Sequence, residues 1–242
     1  MSQSELESLA SVSEDYIDDV EGLRAFVRKA EDLGHFGACS IDTEADSMHS
    51  YETKLCLIQF SIPGALAIFD PLAIGIDALR EFTLFVDRFE IVWMHGADYD
   101  ISLFNSTFNW VPRKIYDTQV GARFLGKEKF GLANLLEDEY GIKLSKQSQK
   151  ADWSRRPLNE KMLAYAFNDV RYLLDLGGKY LDRLAEAERL GAPFGHDLDR
   201  HAGLWRAVSP HKVPCCVAPE NRKMKCGVSL GGENFPRKVS TF

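Results

Sequence analysis

Three short segments of the sequence place carboxylates where they could share a cation. In the first, Ser40-Ile41-Asp42-Thr43-Glu44, two acids stand two residues apart at the end of an apolar run. On a strand that spacing sends both side chains out of the same face. Carboxylates held so close repel by roughly 4 kcal/mol at an effective dielectric near 20, so the pair needs a cation, a shared proton or open water. The second segment, Trp93-Met94-His95-Gly96-Ala97-Asp98-Tyr99-Asp100, reads as a strand ending in a loop that enters a helix. Asp98 suits the helix N-terminus, where acids complement the dipole. Asp100, followed by Ile101, Leu103 and Phe104, faces inward at the carboxyl edge of the sheet, where open α/β sheets place ligands. In the third, Tyr165 and Asp169 are four apart on a helix and share a face. Each motif has a plainer reading alone: a strand end, a helix cap, a packed tyrosine. Together Asp42, Glu44, Asp100 and Asp169 supply hard oxygen ligands that suit Mg²⁺ or Mn²⁺ rather than zinc or iron. Two such ions about 4 Å apart can activate water and stabilise the leaving oxygen of a phosphodiester.

The elements that must position these groups follow from periodicity. Apolar runs predict strands over 38–43, 55–61, 65–69, 90–94 and 114–116. Helical spacing predicts helices over 16–33, 77–88, 118–125, 132–140 and 159–189, the last broken at Gly177-Gly178. A meander of early strands followed by strand–helix alternation gives an α/β fold, a mixed five-stranded sheet with helices on both faces.

Composition sets the limits. The chain has 242 residues, 45% hydrophobic, with a net charge of −7. That size suits one large domain with a short appendage, and the acidic balance disfavours a protein that coats duplexes through a broad basic face. No apolar run of about 18 residues is present, so no membrane partner is expected. The N-terminus lacks the pattern of a secretory signal, and five cysteines, an odd number, suggest a reducing, cytoplasmic setting. Residues 1–14 read as a flexible acidic N-terminus, 15–192 as the folded domain, and 193–242 as an irregular tail. Within that tail His211, Cys215, Cys216 and Cys226 fit no usual zinc spacing.

The ordered set of motifs resembles the ribonuclease D group of the DEDD superfamily of 3′–5′ exonucleases. It consists of Asp-Thr-Glu at 42–44, His-Gly-Ala-Asp-Tyr-Asp at 95–100 and Tyr-x-x-x-Asp at 165–169. Leu55 to Gln59, Tyr116 to Gln119, Gly131 to Leu135 and Asp152 to Leu158 match as well. The resemblance covers about residues 17–190 and implies a ribonuclease H-like fold of the tyrosine subclass. It implies that Asp42, Glu44, Asp100 and Asp169 hold two divalent ions, Mg²⁺ or Mn²⁺, and that Tyr165 orients the attacking water. It also implies hydrolysis from RNA 3′ ends with release of 5′-mononucleotides, as in the processing of transfer RNA and other structured RNA. DNA is the alternative substrate, and a non-catalytic nucleic-acid-binding protein on the same fold is the rival from another class. Longer family members carry helical HRDC domains after the exonuclease domain; 193–242 has no such helical content.

Substrate contacts are sought outside the motifs. Five basic residues between Lys143 and Arg156, opposed only by Asp152, form the best candidate for a phosphate-tracking surface, with Lys146 and Arg156 in it. Trp153 is placed to stack on a base, Gln59 to bind a terminal ribose, and His95 to line the site. The oligomeric state is not legible in the sequence.

Overall fold

The computed structural model describes residues 12–46, 53–145 and 148–189. Lys146, the acidic segment 1–11, the tail 193–242 and its cysteines lie outside the described residues. The strands are β1 (Glu14–Ile17), β2 (Ala38–Asp46), β3 (Lys54–Ile62), β4 (Ala65–Phe69), β5 (Ile91–Met94) and β6 (Ile115–Asp117). The helices are α1 (Val20–Leu33), α2 (Pro71–Ile74), α3 (Ile76–Val86), α4 (Asp98–Phe108), α5 (Thr118–Phe124), α6 (Leu132–Tyr140), α7 (Glu160–Arg171) and α8 (Leu173–Arg189). One mixed sheet runs β1-β4-β3-β2-β5-β6. β2, β3 and β4 are antiparallel neighbours, while β1 joins β4, β5 joins β2 and β6 joins β5, all in parallel.

Alternation along the strands buries both faces. Phe60 and Phe69 enter one layer with Phe26, Phe82 and Phe85 from α1 and α3; the Phe60 ring lies 5.3–6.4 Å from its aromatic neighbours. Leu57, Ile68 and Trp93 enter the other, against Leu135, Val170, Leu173 and Leu176 from α6, α7 and α8. The expected α/β mixed sheet with helices on both faces is present. Cys39 and Cys56 are buried free thiols, as strand positions require.

Two local expectations are corrected. Residues 16–17 belong to an edge strand, which makes six strands rather than five, because Asp19 ends the extended chain. Its carboxylate accepts from Gly22 N at 2.6 Å and starts α1 at Val20. The break in the last helical stretch falls at Tyr172, where α7 ends, and not at Gly177-Gly178. Gly177 serves close packing instead: a Cβ there would lie 2.3 Å from Trp93 Cδ2, so α8 crosses β5 only because this position is bare.

Candidate active site

β2 carries Asp42 and Glu44 on the face covered by α7. Asp42 stands opposite Gln59 of β3, and a bulge between Glu44 and Ala45 turns the strand end. Asn159 caps α7 through its side chain, accepting from Met162 N at 3.0 Å, and fixes the phase that turns Tyr165 and Asp169 toward β2. Carboxylate oxygens of Asp42, Glu44 and Asp169 lie within 4.8 Å of one another, close enough to hold a metal ion.

Asp100 arrives from the first turn of α4, buried beneath β2, and accepts a short hydrogen bond from the Thr43 hydroxyl. The alternation of β2 gives Thr43 this task, since it points away from its acidic neighbours. The loop that launches α4 is held by Asp117, whose carboxylate accepts from Gly96 N at 3.0 Å and Ala97 N at 2.9 Å. Gly96 adopts φ of 69°, a left-handed turn that glycine takes without strain. Asp117 and Thr43 are positioning groups to which the sequence reading gave no role, although both lie within the matched motifs, Asp-Thr-Glu at 42–44 and Tyr116 to Gln119.

Burial and crowding keep protons on these acids. Asp42 is pushed well above the carboxylate range by burial and by the charges of Asp100, Asp169 and Glu44. Burial, then Asp169 and Asp100, raises Glu44 to about 9. Asp169 rises to about 7, mainly by burial, against a lowering hydrogen bond from Tyr165. Asp100 rises to about 6 by burial, with Thr43 opposing. Such a site gains by exchanging protons for hard cations, which its all-carboxylate donor set fits. Tyr165 is raised by burial and by Asp169, Glu44 and Asp42, so its hydroxyl stays protonated near neutrality and acts by hydrogen bonding.

Asp42, Glu44 and Asp169, but not Asp100, open on a cleft of about 390 Å³ that is also lined by His95, Gln119, Asn134 and Gln149. His95 is therefore at the site. Burial lowers its pKa to about 4, so it is neutral. Thr118 Oγ1 lies 2.9 Å from His95 Nδ1 and donates to Met94 O at 3.1 Å, which leaves Nδ1 as the donor to Thr118.

The other substrate candidates fall elsewhere. Gln59 is wholly buried beside Asp42 on the neighbouring strand and does not line the cleft, its amide without a hydrogen-bond partner among the described residues, so it is not placed to touch a ribose. Trp153 is 2% exposed and offers no face to a base; it lies beside Tyr165, ring centroids 6.0 Å apart. Arg156 is withdrawn from any phosphate: it pairs with Asp70 (Nη2 to Oδ1 2.7 Å) and donates to the carbonyls of Cys56 and Trp153. Lys143 pairs with Glu137 at 3.6 Å. The basic run is thus partly consumed by structure.

A mixed sheet presenting acids from β2 and α7 to one cleft, with Asp100 of α4 buried beneath them, is an arrangement that fits the DEDD-type exonucleases. The chain belongs to the 3′–5′ exonuclease family, whose model matches residues 15–185. It is 33% identical over 181 residues to ribonuclease D of Sphingobium indicum, which covers 70% of this chain and 46% of that protein. Ribonuclease D of Escherichia coli is 32% identical over 158 residues, 65% of this chain and 42% of that one. The crystal structure of Escherichia coli RNase D, an exoribonuclease involved in structured RNA processing, matches with a TM-score of 0.64 and 28% identity, over 80% of this chain and 50% of that one. The catalytic core of RRP6 from Trypanosoma brucei matches at 0.61 with 26% identity, over 74% and 48%. The chain spans about half the length of these relatives. Among the described residues no helix is long and apolar enough to cross a membrane.

Proposed function

We propose that the chain is a 3′–5′ exoribonuclease that removes nucleotides hydrolytically from RNA 3′ ends and releases 5′-mononucleotides. The observation that carries this reading is the convergence of Asp42, Glu44 and Asp169 within 4.8 Å at a solvent-open cleft, with Asp100 adding its charge from below. Asp42, Glu44, Asp100 and Asp169 would hold two divalent ions, Mg²⁺ or Mn²⁺. Bound there, such ions supply activation of water and neutralisation of charge on the leaving oxygen.

This chain's own residues do the rest. Tyr165, kept protonated, holds and orients the attacking water through its hydroxyl, while Trp153 backs its ring. Thr43 fixes the rotamer of Asp100, and Asp117 fixes the loop from which α4 starts. The neutral His95 and the amides of Gln119 and Asn134 line the cleft with groups that bond a sugar or a base edge without demanding charge.

The relatives named ribonuclease D support RNA as the substrate. Matched RNA and DNA oligomers, labelled at the 3′ or the 5′ end and incubated with Mg²⁺ or Mn²⁺, test the reading. A ladder receding from the 3′ end of RNA, with mononucleotides released, is expected. Efficient cutting of a circular single strand would sink it, and equal or faster digestion of DNA would remove the RNA preference.

A further inference from the structure

Next to the acidic cleft, and sharing Tyr165 and Asp169 with it, lies a second cavity of about 280 Å³. Ser148, Lys161 and Asn168 line it, and Leu144, Ser145, Tyr165 and Asp169 form the wall it shares with the cleft. Lys161, Tyr165 and Asn168 follow one face of α7 at four- and three-residue steps. We propose that this cavity binds the phosphodiester one nucleotide to the 5′ side of the scissile bond, with Lys161 as its cation. The inference rests on the exonuclease reading and assigns that site an upstream subsite and a polarity.

Charge decides which chamber takes which part of the strand. The described residues lining the acidic cleft include no lysine or arginine. That chamber suits a terminal nucleotide, whose only phosphodiester sits at the acids and is neutralised by their metal ions. The next phosphate lies beyond the reach of those ions and needs its own positive charge. Lys161 supplies it. Its side chain is exposed and has no ion pair among the described residues, whereas Lys127, Lys143, Lys179 and Arg183 are all paired with carboxylates. From Tyr165 back to Lys161 the helix rises about 6 Å, the order of one nucleotide step along a single strand. Asn168 Oδ1 already accepts from Arg171 Nε at 3.3 Å, which leaves its amide N–H groups as donors. Ser148 Oγ is close to the Lys161 carbonyl at 3.4 Å and ties that wall together. Tyr165 and Asp169 therefore stand between the acidic chamber, which metal ions would neutralise, and one that holds Lys161, where the scissile bond belongs.

The test uses three short RNAs: a dinucleotide, a trinucleotide, and the same trinucleotide with an uncharged methylphosphonate at its upstream linkage. Kd is followed by fluorescence anisotropy with Ca²⁺ as the ion, and kcat and KM with Mg²⁺. Removing one phosphate contact should weaken wild type by roughly three- to tenfold, so the methylphosphonate trinucleotide binds that much less tightly than the natural one. Lys161→Ala should bind the natural trinucleotide with that same loss, raising KM, and should show no further loss with the methylphosphonate. Its log–log salt dependence should flatten by about 0.7. Lys150→Ala, an exposed lysine in neither cavity, controls for bulk charge and should keep the methylphosphonate penalty. If Lys161→Ala suffers the same methylphosphonate penalty as wild type, Lys161 is a solvated surface lysine and the subsite is wrong, even though cleavage persists. If no RNA is cleaved but the anisotropy coupling is present, the subsite stands and the exonuclease reading fails.

Discussion

Asp42→Asn should stop hydrolysis, raise the melting temperature of the metal-free protein and erase most of the stabilisation that Mg²⁺ gives the wild type. The magnitudes follow from the geometry. Oxygens within 4.8 Å repel by about 3.5 kcal/mol per fully ionised pair at an effective dielectric of 20. The metal-free protein escapes part of that cost by keeping protons, Asp169 up to about pH 7 and Glu44 up to about pH 9. In the unfolded chain the same acids ionise near pH 4. Their folded pKa values are raised, so the stability they allow is fully present below pH 4 and is lost as pH climbs through the folded values. Metal-free wild type should therefore melt progressively lower between about pH 4 and about pH 9. Replacing Asp42 by an isosteric amide removes its repulsion with both neighbours. Glu44 keeps its proton up to about pH 9 and Asp42 is itself pushed well above the carboxylate range, so the gain is small near neutral pH and grows as pH rises toward about 9.

Metal acts in the opposite sense. An ion at a hundred times its Kd stabilises by about 2.7 kcal/mol, so the wild type should climb by roughly 5–11 °C on saturation, and by more at higher pH as protons no longer compete. The variant should climb by less than half as much. Scanning calorimetry of both proteins in EDTA and in saturating Mg²⁺, across that pH range, reads all of these. Equal metal-induced shifts in the two proteins, or a lower metal-free melting temperature for Asp42→Asn at about pH 9, would refute the placement of Asp42 at a shared cation site.

Tyr165→Phe keeps the ring against Trp153 and loses one hydroxyl, so single-turnover hydrolysis should fall about a hundredfold with little change in melting temperature; a stable variant with wild-type rate removes Tyr165 from the mechanism. Gly177→Ala drives a methyl group into the Trp93 ring and should cost about 1–3 kcal/mol, read as a lower urea midpoint at unchanged slope; an unchanged midpoint would mean that α8 can draw back freely. Arg156→Met strands Asp70, whose side chain is 1% exposed, and should cost about 3 kcal/mol. Adding Asp70→Asn should recover part of that loss, and strict additivity of the two changes would count against the pair.

The acidic motifs were legible because their information is local. A two-residue spacing on a strand and a four-residue spacing on a helix each fix a common face, and the fold needs only to bring three such faces to one sheet edge. What failed was anything decided by distant partners. Ile17 keeps the helical period of Leu23 and Phe26, yet the cap at Asp19 and pairing with β4 draw it into a strand. Gly177-Gly178 looks like a break in one dimension and is a contact with Trp93 in three. Arg156 sits in a polar, basic run that reads as a solvated loop, but its partner Asp70 lies 86 residues away. Lys161 carried no signal at all, because an exposed lysine on a helix is ordinary until a cavity is seen beside it.

Arg156 also shows how the site depends on structure that touches no substrate. Asp70 accepts from Arg156, from the Tyr16 hydroxyl at 2.5 Å and from Leu72 N at 3.0 Å. One carboxylate thereby joins the end of β1, the start of α2 and the loop before α7. That same guanidinium grips the Trp153 carbonyl at 2.7 Å, so the loop holds Trp153 against the sheet and beside Tyr165. Within the described residues the Trp153 indole N–H has no hydrogen-bond partner, and a buried unpaired donor costs about 1–3 kcal/mol. Burial of the indole among the second core layer outweighs that cost, and the grip of Arg156 on the Trp153 carbonyl holds the backbone to match. Tyr165 thus has a fixed wall behind it and the acids in front, and the loop that carries this wall is anchored by an ion pair remote from the cleft.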